Sequence, residues 1–364
     1  MAATRDIILS MLIQTEGFLS GESIGEALGI SRAAVGNAVK SLRADGYNIE
    51  SVTNRGYRLL QAPNGLNDGE LLAWLDEKRM ERVVCLDSVD STNRYLAQMA
   101  LDGAPDGQIV IADRQTAGRG RLSRAFHSPG GMGVYFSYLI RPDARSGIQN
   151  SRTKDQTVHT VADEMQPSAW TQVTSMTAVA VSDAVEAVCG IRPKIKWVND
   201  LYMEVQTEKT GGKKKAMSAY EKICGILTQM DLEPDSGHVR SVIIGIGVNV
   251  AEKKSDFPKE IRGIAGSLYT ATGKQVSRAR LATEMTLAMD RMRLAMPDAE
   301  GRYLARYREA SILPGMEVLV VSGDTQQKAT ALAIEEDFGL RVRYENGTEE
   351  CLRGGEVSIR PREA

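Results

Sequence analysis

The chain has 364 residues, which allows two or three domains and a large buried core. Its 45 lysine and arginine residues nearly balance 47 aspartate and glutamate residues, so the net charge of -2 excludes recruitment of nucleic acid or acidic membranes by the whole chain's field. The scattered cysteines and histidines argue against a disulfide scaffold and a structural zinc site. Because no apolar run could span a membrane and no signal peptide is apparent, we expect a cytoplasmic protein without membrane association.

The first sixty residues predict three short helices followed by a β-hairpin. Apolar residues recur at helical spacing over residues 3–15, and a second helix follows. Gly29-Ile30 then predicts a tight turn, with Ser31 as the N-cap of a third helix. Two helices joined by a short turn can place a recognition helix in the major groove of DNA. The stretch from Ile49 to Leu60, which turns at Asn54-Arg55-Gly56, predicts a hairpin that would complete a winged helix.

Polar side chains on the third helix and the hairpin are candidates for contact with DNA. The helix would bury Val35, Val39 and Leu42 and leave its polar face outward. The predicted DNA-binding residues are Ser31, Arg32, Asn37, Lys40, Arg43, Arg55 and Arg58. Because residues 1–63 carry six basic and six acidic residues, DNA binding would rely on a dimer, and a helical unit for protein contact is the alternative.

A larger α/β region follows the linker that we predict over residues 61–68. Helices are predicted from Ser91-Thr92-Asn93 to about residue 101 and over about 172–188 and 277–296, between strands at 83–87, 108–112, 134–140, 193–198, 222–230 and 239–250. This order predicts a mixed sheet with helices on one face. After Leu313-Pro314-Gly315, five short strands predict a small closed β-barrel. The expected domains are therefore residues 1–63, 64–312 and 313–364.

A basic glycine-rich loop carries the strongest chemical signal of the chain. Gly118-Arg119-Gly120-Arg121-Leu122-Ser123-Arg124 follows a predicted strand. Its glycines allow the backbone to approach a ligand, and its guanidinium groups can donate to phosphate or acyl-phosphate oxygens. The loop is neither a P-loop nor a dinucleotide fingerprint. Taken alone, it fits a solvated loop or a nucleic-acid patch equally well.

Polar residues in three other strands favour a ligand site. The block Lys196-Trp197-Val198-Asn199-Asp200 ends a strand with a cation, an amide and a carboxylate. Lys222 precedes an apolar strand, and Asn249 is the single amide in another. An amide in an apolar run needs a hydrogen-bond partner, which a bound ligand would supply.

Five blocks of the sequence resemble the biotin protein ligases in order, spacing and identity. The blocks are Asp90-Ser91-Thr92-Asn93, Gln115-Thr116-Ala117-Gly118-Arg119-Gly120-Arg121, Lys196-Trp197-Val198-Asn199-Asp200, Lys222-Ile223-Cys224-Gly225-Ile226-Leu227 and Gly245-Ile246-Gly247-Val248-Asn249. The first domain is similar to the winged helix of the bifunctional ligase–repressors, through Leu28-Gly29-Ile30-Ser31-Arg32 and Gly56-Tyr57-Arg58-Leu59. The resemblance covers nearly the whole chain.

The resemblance implies an α+β multidomain protein with a winged helix-turn-helix, a central mixed-sheet ligase domain and a C-terminal Src-homology-3-like β-barrel. The central domain would be similar to class II aminoacyl-tRNA synthetases and biotin synthetases. Biotin and ATP, with Mg2+, would form biotinyl-5'-AMP, from which biotin would pass to one lysine of the biotin carboxyl carrier protein of a carboxylase. This is the activity of a biotin–[acetyl-CoA-carboxylase] ligase. Adenylate binding would also favour a homodimer that represses transcription at operator DNA.

The resemblance also implies roles for individual residues. Lys222 and Arg121 would be catalytic, and Asp200 would be a Mg2+ ligand. Biotin would be bound by Ser91, Thr92, Asn93, Gln115, Arg119, Gly120, Arg121 and Lys222. ATP or the adenylate would be bound by Gly118, Arg119, Arg121, Arg124, Phe126, Lys196, Asn199 and Asn249.

Departures from the family pattern leave alternative functions open. Leu122-Ser123 stands where the family usually has Arg-Gly, and Phe126 replaces a usual tryptophan. One alternative is a repressor that senses biotin adenylate and has weak or no ligase activity. Another is a ligase whose winged helix no longer acts on DNA. A lipoate ligase is less consistent with the two terminal domains.

Two segments are longer than the family normally has. Residues 144–168 and 203–219 are predicted to be solvated loops. A second hypothesis for the latter is that Lys213, Lys214 and Lys215 help to dock an acidic carrier protein.

Overall fold

The computed structural model describes residues 3–142, 172–205, 220–233, 235, 238–296, 300–322 and 325–359. The insertion at 144–168, most of that at 203–219 and the Lys213–Lys215 hypothesis lie outside these residues. The helices are α1 (Thr4–Gln14), α2 (Gly21–Leu28), α3 (Arg32–Ala44), α4 (Asp68–Leu72), α5 (Glu77–Met80), α6 (Thr92–Leu101), α7 (Val173–Cys189), α8 (Leu268–Thr272), α9 (Arg278–Ala295) and α10 (Glu300–Ala310). The strands are β1 (Asn48–Val52), β2 (Gly56–Gln61), β3 (Val83–Val89), β4 (Ile109–Gln115), β5 (Gly133–Ile140), β6 (Lys194–Lys196), β7 (Asp200–Glu204), β8 (Tyr220–Leu232), β9 (Val239–Asn249), β10 (Glu317–Ser322), β11 (Thr325–Ile334), β12 (Leu340–Tyr344), β13 (Glu349–Leu352) and β14 (Glu356–Ile359).

The N-terminal unit is the predicted winged helix. The Ser31 hydroxyl accepts a hydrogen bond from the Ala34 N–H at 3.2 Å and so begins α3, which buries Val35, Val39 and Leu42 as expected. Strands β1 and β2 form the hairpin. Leu19 and Tyr57 exchange two backbone hydrogen bonds, which ties the hairpin to the start of α2. The approach is so close that a Cβ at Gly56 would lie 2.1 Å from the Leu19 carbonyl oxygen, so only glycine fits.

The predicted linker leads into two short helices that the sequence did not reveal, α4 and α5. Helix α4 packs against α1 of the winged helix. A Cβ at Gly69 would lie 2.9 Å from Leu9, and the Tyr47 hydroxyl donates to Glu70 at 3.0 Å. The winged helix is therefore docked on the central domain. Helices of four or five residues carry too little periodicity to be predicted from sequence.

The central domain contains the predicted mixed sheet, with seven strands in the order β3-β4-β5-β9-β8-β7-β6. Strands β3 and β4 are parallel and the other neighbours are antiparallel. The expectation that helices cover one face is wrong. Residues such as Phe136 and Ile244 pack with α7 and α9, whereas Leu139 and Ile243 pack with Leu96 of α6 on the opposite face. Alternate residues of each strand point to opposite faces, so both faces carry apolar side chains.

The C-terminal domain is an antiparallel sheet of five strands, in the order β13-β12-β11-β10-β14. All five strands were predicted, although β11 begins earlier, at Thr325. The closed barrel is not confirmed, because the edge strands β13 and β14 do not pair with each other within the residues described. The sheet is attached to the central domain through the Trp197 indole N–H, which donates to the Phe338 carbonyl at 2.9 Å.

No helix in the described ranges has the length and apolar composition needed to cross a bilayer.

Candidate functional site

A cleft of about 680 Å³ lies on the α6 side of the central sheet. Its walls come from the start of α6, the glycine-rich loop, the segment around Ile264 and the start of β14. Its floor is formed by β8 and β9, where Gly225, Gly245 and Gly247 place no side chains on the face of the sheet. The lining includes every predicted biotin, ATP and metal residue except Gly118, which is buried at the start of the loop.

A buried polar wall stands at the α6 end of the cleft. Ser91, Thr92 and Asn93 are at most 6% exposed, because α6 begins here against the sheet. The Gln115 side-chain carbonyl accepts from the Thr92 N–H at 2.9 Å, and its amide donates to the Ser128 hydroxyl at 3.0 Å. The wall therefore offers fixed donors and acceptors in an apolar setting, which suits a small polar ring.

Asn93 is held by residues that the sequence did not single out. Its amide nitrogen donates to Gln229 Oε1 at 2.8 Å, and its Oδ1 accepts from the Ser137 hydroxyl at 2.7 Å. A Cβ at Gly245 would lie 2.3 Å from the same Oδ1. Ser137 and Gln229 lie on strand positions that alternate toward the cleft, a signal that becomes readable only once the facing of the strands is known.

The glycine-rich loop folds over the cleft and is held by the C-terminal domain. The Arg121 guanidinium donates to Asn199 Oδ1 at 3.1 Å and to the Gly355 carbonyl at 2.8 Å. The Arg124 guanidinium donates to both carboxylate oxygens of Glu356, at 2.9 and 2.7 Å, and these bonds lower the pKa of Glu356. Gly355 and Glu356 could not be recognised as site residues from the sequence, since more than two hundred positions separate them from the loop.

Cationic side chains meet beside the loop. Lys222 Nζ lies 2.7 Å from Asp200 Oδ1. Burial lowers the pKa of Lys196, an effect that the neighbouring Asp200 carboxylate partly offsets. The Arg119 side chain also lines the cleft, with no hydrogen-bond partner in the part of the chain described. Six lysine and arginine side chains line the cleft against three carboxylates, and this excess of positive charge makes the cleft attractive to anions such as phosphates.

Phe126 lies on the glycine floor. A Cβ at Gly247 would come within 2.4 Å of the Phe126 ring, so the missing side chain leaves room for that ring. The ring makes an edge contact with Tyr135, with 6.5 Å between centroids.

Asn249 is the last predicted residue of the ATP site. The Asn249 amide, which is 7% exposed, donates to the Gly266 carbonyl at 2.9 Å. One N–H of the Asn249 amide thus has a partner within the chain, where the sequence predicts a bound ligand.

The predicted DNA-binding residues differ in how free their side chains are to contact DNA. Ser31 caps α3, and Asn37 and Lys40 are exposed on α3 without side-chain partners among the described residues. Arg43 is turned toward the hairpin, and its guanidinium donates to the Ile49 carbonyl. The other three arginines have intramolecular contacts: Arg32 with Glu22, Arg58 with Glu50, and Arg55 with the Phe18 ring.

Comparisons with known proteins agree with this architecture. Residues 5–58 match the family described as HTH domain, and residues 85–249 match the Biotin/lipoate A/B protein ligase family. The chain is 38% identical over 275 residues to the bifunctional ligase/repressor BirA of Bacillus spizizenii, a match that covers 75% of this chain and 73% of the relative. The chain belongs to the biotin protein ligase family of bifunctional ligase/repressors.

Two further biotin ligase relatives extend the match. The bifunctional ligase/repressor BirA of Escherichia coli is 26% identical over 98% of this chain and 97% of its own length. The structure of the biotin protein ligase from Aquifex aeolicus in complex with biotin and ATP has a TM-score of 0.58 and 25% sequence identity. The match covers 77% of this chain and 99% of the Aquifex aeolicus chain. Family membership therefore rests on both sequence and fold.

Proposed function

We propose that this chain is a biotin protein ligase that forms biotinyl-5'-AMP from biotin and ATP and transfers biotin to a lysine of a biotin carboxyl carrier protein. The observation that carries the proposal is the meeting of three groups in one cleft: the buried polar wall, the glycine-rich loop with its arginines, and the Lys222–Asp200 pair. Each suits one part of the reaction, namely the ring of biotin, the phosphates and the carboxylate that becomes activated.

The first step joins biotin to AMP. A biotin carboxylate oxygen attacks the α-phosphorus of ATP, and pyrophosphate leaves with the bonding electrons of the broken P–O bond. Ser91, Thr92, Asn93 and Gln115 hold the ureido ring, because their side chains supply paired donors and acceptors. Lys222 places its ammonium between the carboxylate and the α-phosphate and stabilises the negative charge that the transition state concentrates there.

The second step transfers the biotinyl group. The deprotonated ε-amine of the carrier lysine attacks the carbonyl carbon of the mixed anhydride, AMP leaves, and the nitrogen loses a proton to form the amide. Arg119, Gly120 and Arg121 cover the adenylate until the carrier arrives. Covering it matters, because water that reached the anhydride would hydrolyse it. Gly118, Arg124, Phe126, Lys196, Asn199 and Asn249 complete the site for ATP and the adenylate.

Magnesium is proposed as the partner of ATP, with Asp200 as its protein ligand. Among the residues described, no three His, Cys, Asp or Glu side chains form a group that could hold a metal ion. Mg2+ needs no such group, since it commonly takes one or two carboxylates together with substrate phosphates and water. The cleft fits that mode, and the bound ion would neutralise charge on the triphosphate.

We also propose that the adenylate-bound chain forms a homodimer and represses transcription at operator DNA through the winged helix. The exposed polar side chains of α3, which include Asn37 and Lys40, support this proposal, because major-groove readers present such a face. ATP, DNA and the carrier protein would meet in the cytoplasm. A gel shift with the upstream region of biotin genes, with and without biotin and ATP, tests this activity.

Domain boundaries near residues 63 and 312 are part of the same proposal, as is a Src-homology-3-like barrel at the C-terminus. The five antiparallel strands in the order observed support the barrel. Its proposed role is to hold the glycine-rich loop through Gly355 and Glu356.

Biotin-dependent ATP–pyrophosphate exchange tests the ligase proposal, because the assay needs no carrier protein. We expect exchange with biotin, none with lipoate, and a loss of at least about a hundred-fold for Lys222→Ala, the magnitude typical of removing one electrostatic stabiliser. Arg121→Ala should also reduce it. Folded protein that binds biotin but supports no exchange would favour the second candidate, a repressor that senses biotin without transferring it efficiently.

A further inference from the structure

Phe18 is a half-buried aromatic residue that lies outside the apolar core of the winged helix. That core is built from α1, α2, α3 and the hairpin, and Phe18 is not among the side chains packed in it. Its ring is covered instead by two guanidinium groups. The Arg55 Cζ lies 4.4 Å and the Arg58 Cζ 4.8 Å from the ring centroid, both within cation–π range.

The two arginines depend on this ring to different degrees. Arg58 also donates twice to Glu50 Oε2, at 2.7 and 3.2 Å, so its orientation is fixed by a second contact. Arg55 follows Asn54 at the tip of the hairpin, where the backbone is left-handed with φ 65°. The Arg55 guanidinium makes no hydrogen bond or ion pair within the residues described, and it lies over the Phe18 ring.

Arg55 is also one of the few basic residues of this neutral domain that remain available to phosphate. The charges or donors of the others are engaged within the chain: Arg5 with Asp45, Arg32 with Glu22, Arg43 with the Ile49 carbonyl, and Arg58 with Glu50. Lys40 on α3 and Arg55 on the hairpin have neither an acidic partner nor a side-chain hydrogen bond among the described residues. Because phosphate neutralisation supplies much of the affinity for DNA, Lys40 and Arg55 are the strongest candidates for contact with phosphate in this domain.

We propose that Phe18 is a positioning residue for DNA binding, whose ring holds Arg55 extended at the hairpin tip for contact with a DNA phosphate. This inference rests on the proposed DNA-binding function. An unsupported arginine must lose its rotational freedom when it binds, whereas one already stacked on a ring has lost much of it beforehand. The ring thereby lowers the cost of the contact without adding charge.

Phe18→Leu and Phe18→Tyr in the full chain test the inference. The leucine keeps an apolar side chain but removes the aromatic face, whereas the tyrosine retains it. Affinity is measured over a range of salt concentrations, with a labelled duplex from the upstream region of biotin genes and with a mixed-sequence duplex. We expect Phe18→Leu to weaken binding to both about two- to ten-fold with an unchanged salt slope, and Phe18→Tyr to bind like the wild type.

A double-mutant cycle with Arg55→Ala separates positioning from a merely structural role. Arg55→Ala should reduce the salt slope by about one, the loss of one phosphate contact, and Phe18→Leu should then add little. Additive effects, or wild-type binding by Phe18→Leu, would overturn the inference while leaving DNA binding intact. If the wild type bound neither duplex with or without biotin and ATP, the DNA-binding function itself would fall, and the inference with it.

Discussion

Gly245→Ala offers a direct test of how the polar wall of the cleft is built. The new Cβ would lie 2.3 Å from Asn93 Oδ1, far inside van der Waals contact, so the Asn93 amide must move. Moving it breaks the hydrogen bonds to Gln229 at 2.8 Å and from Ser137 at 2.7 Å. At ~0.5–1.5 kcal/mol each, their loss should lower the free energy of unfolding by about 1–3 kcal/mol.

The same displacement should act on biotin binding. If Asn93 contacts the ureido ring, Gly245→Ala should raise the KM for biotin by roughly ten-fold and leave kcat within about two-fold, because the lost interaction is made equally in the ground state and the transition state. Pyrophosphate exchange at varied biotin and urea-induced unfolding give the two measurements. Gly263→Ala is the matched control, since it lines the cleft but its Cβ would meet nothing within 4 Å.

The Asn93→Ala background decides whether the clash is the cause. There the added methyl group meets no amide, so Gly245→Ala should cost little further stability and change the KM for biotin little. Equal destabilisation by Gly245→Ala in both backgrounds would refute the reasoning, as would wild-type stability together with a wild-type KM for biotin in the single variant.

Three other outcomes follow from the contacts of the chain. Glu356→Gln weakens a two-bond ion pair with Arg124, whose side chain is largely exposed. The KM for ATP in pyrophosphate exchange should therefore rise only about two- to five-fold. An unchanged KM for ATP would argue against a role for the pair in holding the loop. Burial raises the pKa of Glu252 to about 7 from its ordinary value of 4.5, so between these two pH values the folded chain binds a proton that the unfolded chain has released. The free energy of unfolding should therefore fall by up to about 3 kcal/mol as the pH rises across that window. In thermal unfolding, Glu252→Gln should remove this fall, whereas the control Glu260→Gln, at an exposed position, should not. Lys40→Ala should reduce the salt slope of DNA binding by about one on specific and mixed-sequence duplexes alike, and a sequence-dependent loss would instead indicate a base contact.

The elements that could be predicted from the sequence are those whose structure depends on residues close to one another in the chain. Helix α3 begins at the expected N-cap Ser31 and buries the expected three residues, because capping and helical periodicity act within a few positions. The strands of the C-terminal sheet were predicted for the same reason. The short helices α4 and α5 were missed, since their stability comes from packing against α1 and other neighbours rather than from their own sequence.

The candidate cleft was predicted at the level of motifs, and the residues that hold those motifs in place were not. Ser137 looks like an ordinary serine in an apolar strand until the pairing of β5 with β9 places it opposite Gly245 and beside Asn93. The misjudged facing of the helices has the same origin. A strand that is buried on both faces is apolar throughout, so its sequence does not show which face α6 covers.

The contact between the glycine-rich loop and the start of β14 shows why such residues cannot be predicted from the sequence alone. Three arginines in one loop repel one another, so an ordered loop needs acceptors from elsewhere. The C-terminal domain supplies the Gly355 carbonyl to Arg121 and the Glu356 carboxylate to Arg124. A ligand phosphate would compete for the same guanidinium donors. The loop is therefore held by an acceptor that a substrate can replace, and the chain can keep the cleft ordered while leaving Arg121 and Arg124 able to turn toward an anion.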